Sequence, residues 1–300
     1  MNKSYHCTTT VSKLKKVFVT LLVGLIALFF IFPLVLIITN SFMSEAEIYE
    51  NYKTVFKDVV VGDTSDSDIF ANLKLIPDEV VLEQYYQVLI QKVEFLFFFW
   101  NSIKIVLPIV IGQLIIASLA AYAFAKIEFR FREQLFFVYI ITMLMPFQVT
   151  LVPNFIIADK LGLIGKLSSV ILPGVFSTFG VFLLRQFMVY IPNEYIEAAR
   201  VDGANHFHIF IKIALPMTKA GLASLTILLF IDNWNMVEQP LIFLNEIKDY
   251  PLSITLSQIS DMEIGISFAA STLYMAPMLL MFLYGENHLV EGLQASGIKG

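Results

Sequence analysis

The chain has 300 residues, of which 57% are hydrophobic and only 15% charged, and its mean hydropathy is +0.75. Those values exclude a soluble globular domain and point to a polytopic helical membrane protein, so no nucleic-acid partner is expected. The net charge of −5 says little, because the charges segregate by side of the membrane, and the single cysteine, Cys7, excludes an intrachain disulfide.

A basic tail, 1–16, carries Lys3, Lys13, Lys15 and Lys16 and precedes an apolar run at 17–39. The run exceeds the roughly 7–15 apolar residues of a signal peptide and no convincing cleavage site follows, so it reads as a first span entered from the cytoplasm. From 40 to 96 the chain turns polar and acidic, which suits an extracellular loop because lysine and arginine excess marks the inner side. The part at 45–72 reads either as a contact surface for another protein or simply as a solvated excursion.

A second span is expected at about 97–124, with small residues from Ala117 to Ala123 that let helices approach closely. Lys126, Arg130 and Arg132 outnumber Glu128 and Glu133 in the loop that follows, which places it in the cytoplasm. The third span, about 134–158, contains Pro146, where a proline removes a backbone hydrogen bond and kinks the helix. Pro146 and Gln148 therefore mark either a bend lining a translocation pathway or plain packing. A short outer turn with Gly162 and Gly165 leads to a fourth span at about 168–188.

The stretch 191–216, IPNEYIEAARVDGANHFHIFIKIALP, differs from everything around it by carrying charge, amides and His206 and His208. It reads as a helix, a break and a second helix. Pro192 and Asn193 form a start signal with Asn193 as cap, and Glu194 and Glu197 meet the positive helix end. Gly203 interrupts, Asn205 can cap again, and Phe207, Phe210 and Ala214 recur at helical spacing until Pro216 stops the run. Such a bent hairpin is a docking surface, or else an amphipathic surface helix without a partner.

The fifth span starts near Thr218, and about 20 residues bring it to an outer end near Glu238. Asp232, Asn233, Trp234, Asn235, Glu238 and Gln239 then gather in the outer half, where polar groups are costly unless they meet partners or a water-filled cavity. They read as an outer vestibule or a helix contact. After an outer loop with Glu246, Asp249, Asp261 and Glu263, a sixth span covers about 265–284, with Ser267, Ser271 and Tyr274 on its more polar side. A cytoplasmic tail, 286–300, closes the chain. The core transmembrane domain is thus 97–285, and six spans with both termini cytoplasmic satisfy every loop charge bias.

The sequence carries no Walker motif, zincin pair, nucleophile elbow or metal-spaced Cys/His cluster, and His206 and His208 point apart on a helix. No catalytic, cofactor-binding or metal-binding residue is therefore expected in this chain.

Glu197-Ala198-Ala199, then Gly203, then Ile213-Ala214-Leu215-Pro216 resembles the EAA loop of permease subunits in binding-protein-dependent ABC importers. The wider run resembles the maltose and multiple-sugar permease family, of the second-subunit type, as do WNMVEQPL, AAYAFA at 120–125 and the tail ENHLVEGLQASGIKG, which is similar to that family's glycine-lysine-glycine ending. The resemblance covers about 75–300 and implies the ABC type I importer fold. It implies that Glu197, Ala198, Ala199, Asp202, Gly203, Leu215 and Pro216 couple this chain to a separate ATPase. Glu197 would pair with a basic group, Gly203 would permit the bend, and the Ala198-Ala199 face would fit the ATPase groove. The tail residues Gly297 and Lys299 would reach between the ATPase subunits.

The implied assembly has a homologous permease subunit as heterodimer partner, two ATPase subunits holding ATP and Mg, and an extracellular substrate-binding protein. A bacterial plasma membrane surrounds it. The expected cargo is a mono- or oligosaccharide; the alternatives are a glycerol-phosphate ester or an ATP-independent scaffold or channel role. Pro146, Gln148, Asn233, Trp234, Asn235, Glu238 and Tyr274 are the candidates for the translocation pathway.

Overall fold

Apolar runs with no water to satisfy their backbone groups must form helices, and the computed structural model, which describes residues 5–52, 72–256 and 264–297, is helical throughout its ordered elements. α1 (Tyr5–Asn40) contains the first apolar run, and its side chains from Val17 to Val35 are exposed. A helix apolar all round and bare of neighbours suits lipid or a partner helix.

The chain divides into two compact units. The first comprises 1–93 and 259–273. Within it the end of α1 is tied to α2 (residues 45–52) and to α3 (Glu83–Tyr86), which continues as a π-helical turn, Gln87–Gln91. Gln84 donates to the Met43 carbonyl at 2.8 Å, the Ser41 and Tyr85 hydroxyls meet at 2.7 Å, and Met43, Ile48 and Val88 are buried. Lys74 bridges Glu47 at 2.9 Å and Asp78 at 2.5 Å, and these partners, Asp78 foremost, hold its ammonium above the ordinary lysine range. The acidic stretch at 45–72 is thus packed in its first part, 45–52, while 53–71 lies outside the described residues.

The second unit, 94–258 and 274–300, holds the larger core. α4 (Val93–Lys126) is 34 residues long, about 51 Å at helical rise, so it outruns a bilayer core of about 30 Å. Its helix starts earlier and ends later than the expected 97–124. Ala117 and Ala121 on it are buried, and Ala117 faces Gly180, where an added Cβ would meet the alanine methyl at 3.1 Å. Close approach through small residues is what the alanine-rich stretch predicts.

The third expected span is not a kinked rod. α5 (Arg132–Met143) and α6 (Phe147–Lys160) meet at 101°, and Pro146 sits at the N-cap of α6 with φ −57° and ψ 139°. A proline without an N–H, which also bars helix at the residue before it, ends α5 rather than bending it. α7 (Leu167–Gly174) and α8 (Thr178–Val189) form one interrupted span, with residues 175–177 between them. The hairpin follows as α9 (Asn193–Val201) and α10 (His206–Met217). α11 (Lys219–Trp234) is bent by 77° from α10 at Thr218. It stops at Trp234, short of the expected Glu238, and α12 (Glu238–Phe243) begins a new direction.

Four helical stretches among the described residues are long and apolar enough to cross a membrane, and six if each bent pair counts as one span. The connection after α12 is pinned to the N-terminal part of α4: Asn101 donates to the Lys248 carbonyl at 2.6 Å, and the Ser102 hydroxyl accepts from the Leu252 amide at 2.9 Å. Asp261 and Glu263 of that connection lie outside the described residues. The long last helix, α13 (Ile264–Gly297), contributes its first turns to one unit and the remainder to the other. The expected sixth span lies within it.

Candidate functional site

The hairpin is built from short pieces. α9 starts after Pro192, which occupies the N-cap without a side-chain bond, so Asn193 is the first helical residue and not the cap. Asn193 is engaged elsewhere, since its Oδ1 accepts from Lys126 Nζ at 2.9 Å, and the same ammonium donates to the Ile191 carbonyl at 2.6 Å. The end of α4 therefore holds the entrance of the hairpin.

Gly203 adopts φ +84°, and a Cβ placed there would meet nothing within 4 Å, so backbone conformation and not space demands glycine. Asn205 caps α10, accepting from the His208 amide at 2.8 Å, as its position predicts. That helix runs from His206 through a π-helical turn (Phe210–Ala214) to Met217, so the chain passes Pro216 in helical form and breaks at Thr218 instead. At the break the hydroxyl of Thr218 bonds back to the Ala214 carbonyl at 2.9 Å.

Burial sorts the hairpin residues into two faces. Ile196, Ile209, Phe210 and Ala214 are buried, and Ala199 and Leu215 pack half-buried against the same core. Glu197, Ala198, Asp202, Gly203 and Pro216 are exposed. The expected Ala198-Ala199 face is therefore split, with Ala198 outward and Ala199 inward, because successive helical residues lie about 100° apart. Val201 at 88% exposure and Phe207 at 65% stand beside the outward charges, so Phe207 does not continue the buried row of Phe210 and Ala214. His206 is not an isolated surface histidine: its Nε2 lies 2.9 Å from Arg200 and its Nδ1 3.4 Å from the Tyr122 hydroxyl. An arginine can only donate, so Nε2 accepts and Nδ1 carries the hydrogen. A polar recess of about 310 Å³ lies between the α4–α5 loop and α9, lined by Lys126, Arg132, Glu197, Arg200 and His206 among others.

The seven pathway candidates separate into two groups. Gln148 on α6 donates to both carboxylate oxygens of Glu238 on α12 at 3.2 Å, near the Pro146 break, and all three are exposed. Asn233, Trp234, Asn235 and Tyr274 belong to a packed contact instead. Trp234 is 1% exposed and stacks on Phe230 with centroids 5.3 Å apart, while Asn233 is buried with its amide turned back to the Leu229 carbonyl at 2.7 Å. Asn235 accepts from the Tyr274 hydroxyl at 2.9 Å. Trp234 is thus a core residue at a helix contact. Gly297 ends the last helix and Lys299 lies outside the described residues.

Two polar residues, Gln113 in α4 and Ser177 at the α7–α8 break, escape sequence reading. They share a cavity with Asp232, and the signal that could have found Gln113 is a lone amide in an apolar helix. Among the described residues no group of three His, Cys, Asp or Glu could hold a metal ion.

Broken apolar helices around a core, with a charged, bent hairpin between two of them, define a membrane transport component. Residues 113–288 match the model of the binding-protein-dependent transport system inner membrane component family. The chain belongs to that family and is a permease component of an ABC-type transport system, not itself the ATPase. It is 29% identical over 278 residues to an arabinooligosaccharides transport system permease protein of Halalkalibacterium halodurans, covering 92% of this chain and 93% of the relative. It is also 29% identical over 241 residues to an sn-glycerol-3-phosphate transport system permease protein of Brucella abortus, covering 77% and 86% respectively. The fold matches a chain of a bacterial ABC transporter involved in the import of the acidic polysaccharide alginate. The TM-score is 0.75 at 23% identity, over 92% of this chain and 97% of that one.

Proposed function

We propose that this chain is one of two homologous permease subunits of an ATP-driven importer for a mono- or oligosaccharide, delivered by an extracellular substrate-binding protein. Two ATPase subunits, which hold the ATP and Mg, dock on the hairpin of each permease. The chain crosses a bacterial plasma membrane six times with both termini in the cytoplasm, and Gly297 and Lys299 lie in a tail directed at the ATPase pair.

The hairpin carries this reading. Its buried row anchors it to the bundle, while Glu197, Asp202, Val201 and Phe207 face outward with charge and apolar area side by side, the composition of a protein-docking surface. Lys126 ties its entrance to α4 and Thr218 hinges its exit into α11, so displacement of the hairpin moves two spans at once. Alternating access needs two discrete packings of one bundle, and broken helices supply the joints. Gln148 and Glu238 at the Pro146 break offer polar groups to a passing solute.

The test is uptake and ATP hydrolysis by the complete transporter in proteoliposomes with its binding protein. Glu197→Lys and Gly203→Pro should insert and assemble yet lose uptake while hydrolysis continues. Normal coupling in both variants would defeat the hairpin's assigned role.

A second reading, a phosphate-ester importer, is favoured by the sn-glycerol-3-phosphate relative. Phosphate calls for cations or free helix N-termini. The ionisable groups beside the bend and near the Trp234 end of α11, Glu238 and Asp232, are acidic and would repel a phosphate, which favours the carbohydrate.

A further inference from the structure

The bundle contains a second polar place, distinct from the Gln148–Glu238 pair. A cavity of about 430 Å³ is lined by Gln113, Ser177 and Asp232 together with Phe179, Leu228 and Ile231. Its volume falls in the range of small-molecule sites, roughly 300–1,000 Å³, and its makeup is the usual one of apolar walls with a few polar groups.

Each polar residue there has unused bonding capacity. Gln113 is 5% exposed; its Nε2 donates to the Gly174 carbonyl, while its Oε1 is buried with no partner in the protein. Leaving a buried acceptor unpaired costs roughly 1–3 kcal/mol in general, so such an atom calls for an explanation. Ser177 occupies the N-cap of α8 without bonding to it, so the first amides of a twelve-residue helix keep their donors free at the same break. Asp232 adds a carboxylate from α11. Asp232 lies thirteen residues along its helix from Lys219, and Gln113 lies thirteen from Lys126, so each is about 20 Å from a cytoplasmic charge and well inside the bilayer. Charge at that depth is expensive and marks function by default.

The close packing of α7 on α4 sets the break beside Gln113. A Cβ on Gly112 would lie 2.8 Å from the Val175 side chain, and one on Gly174 would lie 2.9 Å from Ile109. Glycine at both positions lets the interrupted span approach near enough for its Gly174 carbonyl to take the Gln113 amide.

We propose that this cavity is a hydroxyl-binding subsite for a neutral polyhydroxylated solute, one sugar ring in size. Asp232 and Gln113 Oε1 accept from its hydroxyls, and Ser177 with the free α8 amides donate to them. A hydroxyl both donates and accepts, so one ring uses both kinds of group, whereas a phosphate would meet the Asp232 carboxylate. Phe179 and Leu228 supply the apolar wall that a sugar's C–H face needs. Gln113 Oε1 is screened from the cavity, so its part in binding requires residues 175–177 to move aside. This subsite rests on the carbohydrate reading above.

The experiment uses the complete transporter with its binding protein in proteoliposomes, with arabinotriose and sn-glycerol-3-phosphate as probes. The parent transporter should carry arabinotriose, and Asp232→Asn and Gln113→Leu should each lower its uptake at least tenfold. In a Cys7→Ser background, Ser177→Cys should react with a small maleimide, and turnover with arabinotriose should slow that reaction severalfold. This labelling decides the matter if the Asp232 variant fails to assemble. Arabinotriose uptake unchanged in both variants, or an unprotected Ser177→Cys thiol, overturns the subsite and leaves the carbohydrate reading standing. Uptake of sn-glycerol-3-phosphate without arabinotriose overturns both.

Discussion

Trp234 and Tyr274 hold each other by two opposed hydrogen bonds: the indole N–H donates to the Tyr274 carbonyl at 3.2 Å, and the Tyr274 hydroxyl donates to the Trp234 carbonyl at 3.1 Å. Their rings lie 5.9 Å apart, so one contact joins the end of α11 to the last helix through backbone, side chain and aromatic surface together. Tyr274→Phe keeps the ring and removes the hydroxyl's bonds. It should cost about 1 kcal/mol, since interhelical hydrogen bonds in membranes average about 0.6 each. Trp234→Ala empties a buried site and should cost about 3–5 kcal/mol. Thermal unfolding of the detergent-solubilised protein checks the order, and equal losses for the two would refute the packing account.

Gly203 makes a sharper test of conformation against space. With φ +84° and open surroundings, Gly203→Ala should cost about 1 kcal/mol through the left-handed backbone alone. Gly203→Asn should cost less, because asparagine tolerates that region. The readout is ATP consumed per solute imported; an alanine variant that couples better than the asparagine one contradicts the argument.

At Gly221 the opposite holds, since a Cβ there would come within 2.6 Å of the Phe187 ring. Gly221→Ala should destabilise the α8–α11 contact by about 1–3 kcal/mol, as overpacking does. Phe187→Leu in the same chain should recover part of the loss. A double variant no more stable than Gly221→Ala would show that the ring is not the obstacle.

Lys126 tests the link between α4 and the hairpin. Lys126→Met leaves the Ile191 carbonyl and the Asn193 amide without their donor, and should reduce uptake per ATP severalfold without preventing assembly. Lys126→Arg should retain more coupling, because it keeps a charged donor in reach. Equal coupling in Lys126→Met and the parent would sever this link from the mechanism.

The hairpin is legible in the chain because its markers are local: Gly203 needs only its own backbone to turn, and Asn205 caps the helix that follows it by accepting from an amide three residues on. The break at Pro146 is legible as a defect but not as a 101° turn, since a proline says that a helix is disturbed and its surroundings say by how much. Asn193 reads as a cap in sequence because its partner, Lys126, is 67 residues distant. Trp234 and Asn233 fall in with the exposed polar residues there, because hydropathy gives depth in the membrane and not direction around the helix.

Composition and periodicity alone establish a helical membrane protein interrupted by a charged, bent hairpin, and the motif residues within that hairpin carry the family resemblance, because all of these depend on residues close together in the chain. Which polar groups meet is decided only in three dimensions. Gln148 finds Glu238 across 90 residues, and Gln113, Ser177 and Asp232 come to one cavity from three separate helical segments. The physical reason is that hydrogen bonding and burial act over a few ångströms of space, whatever the length of chain between the partners.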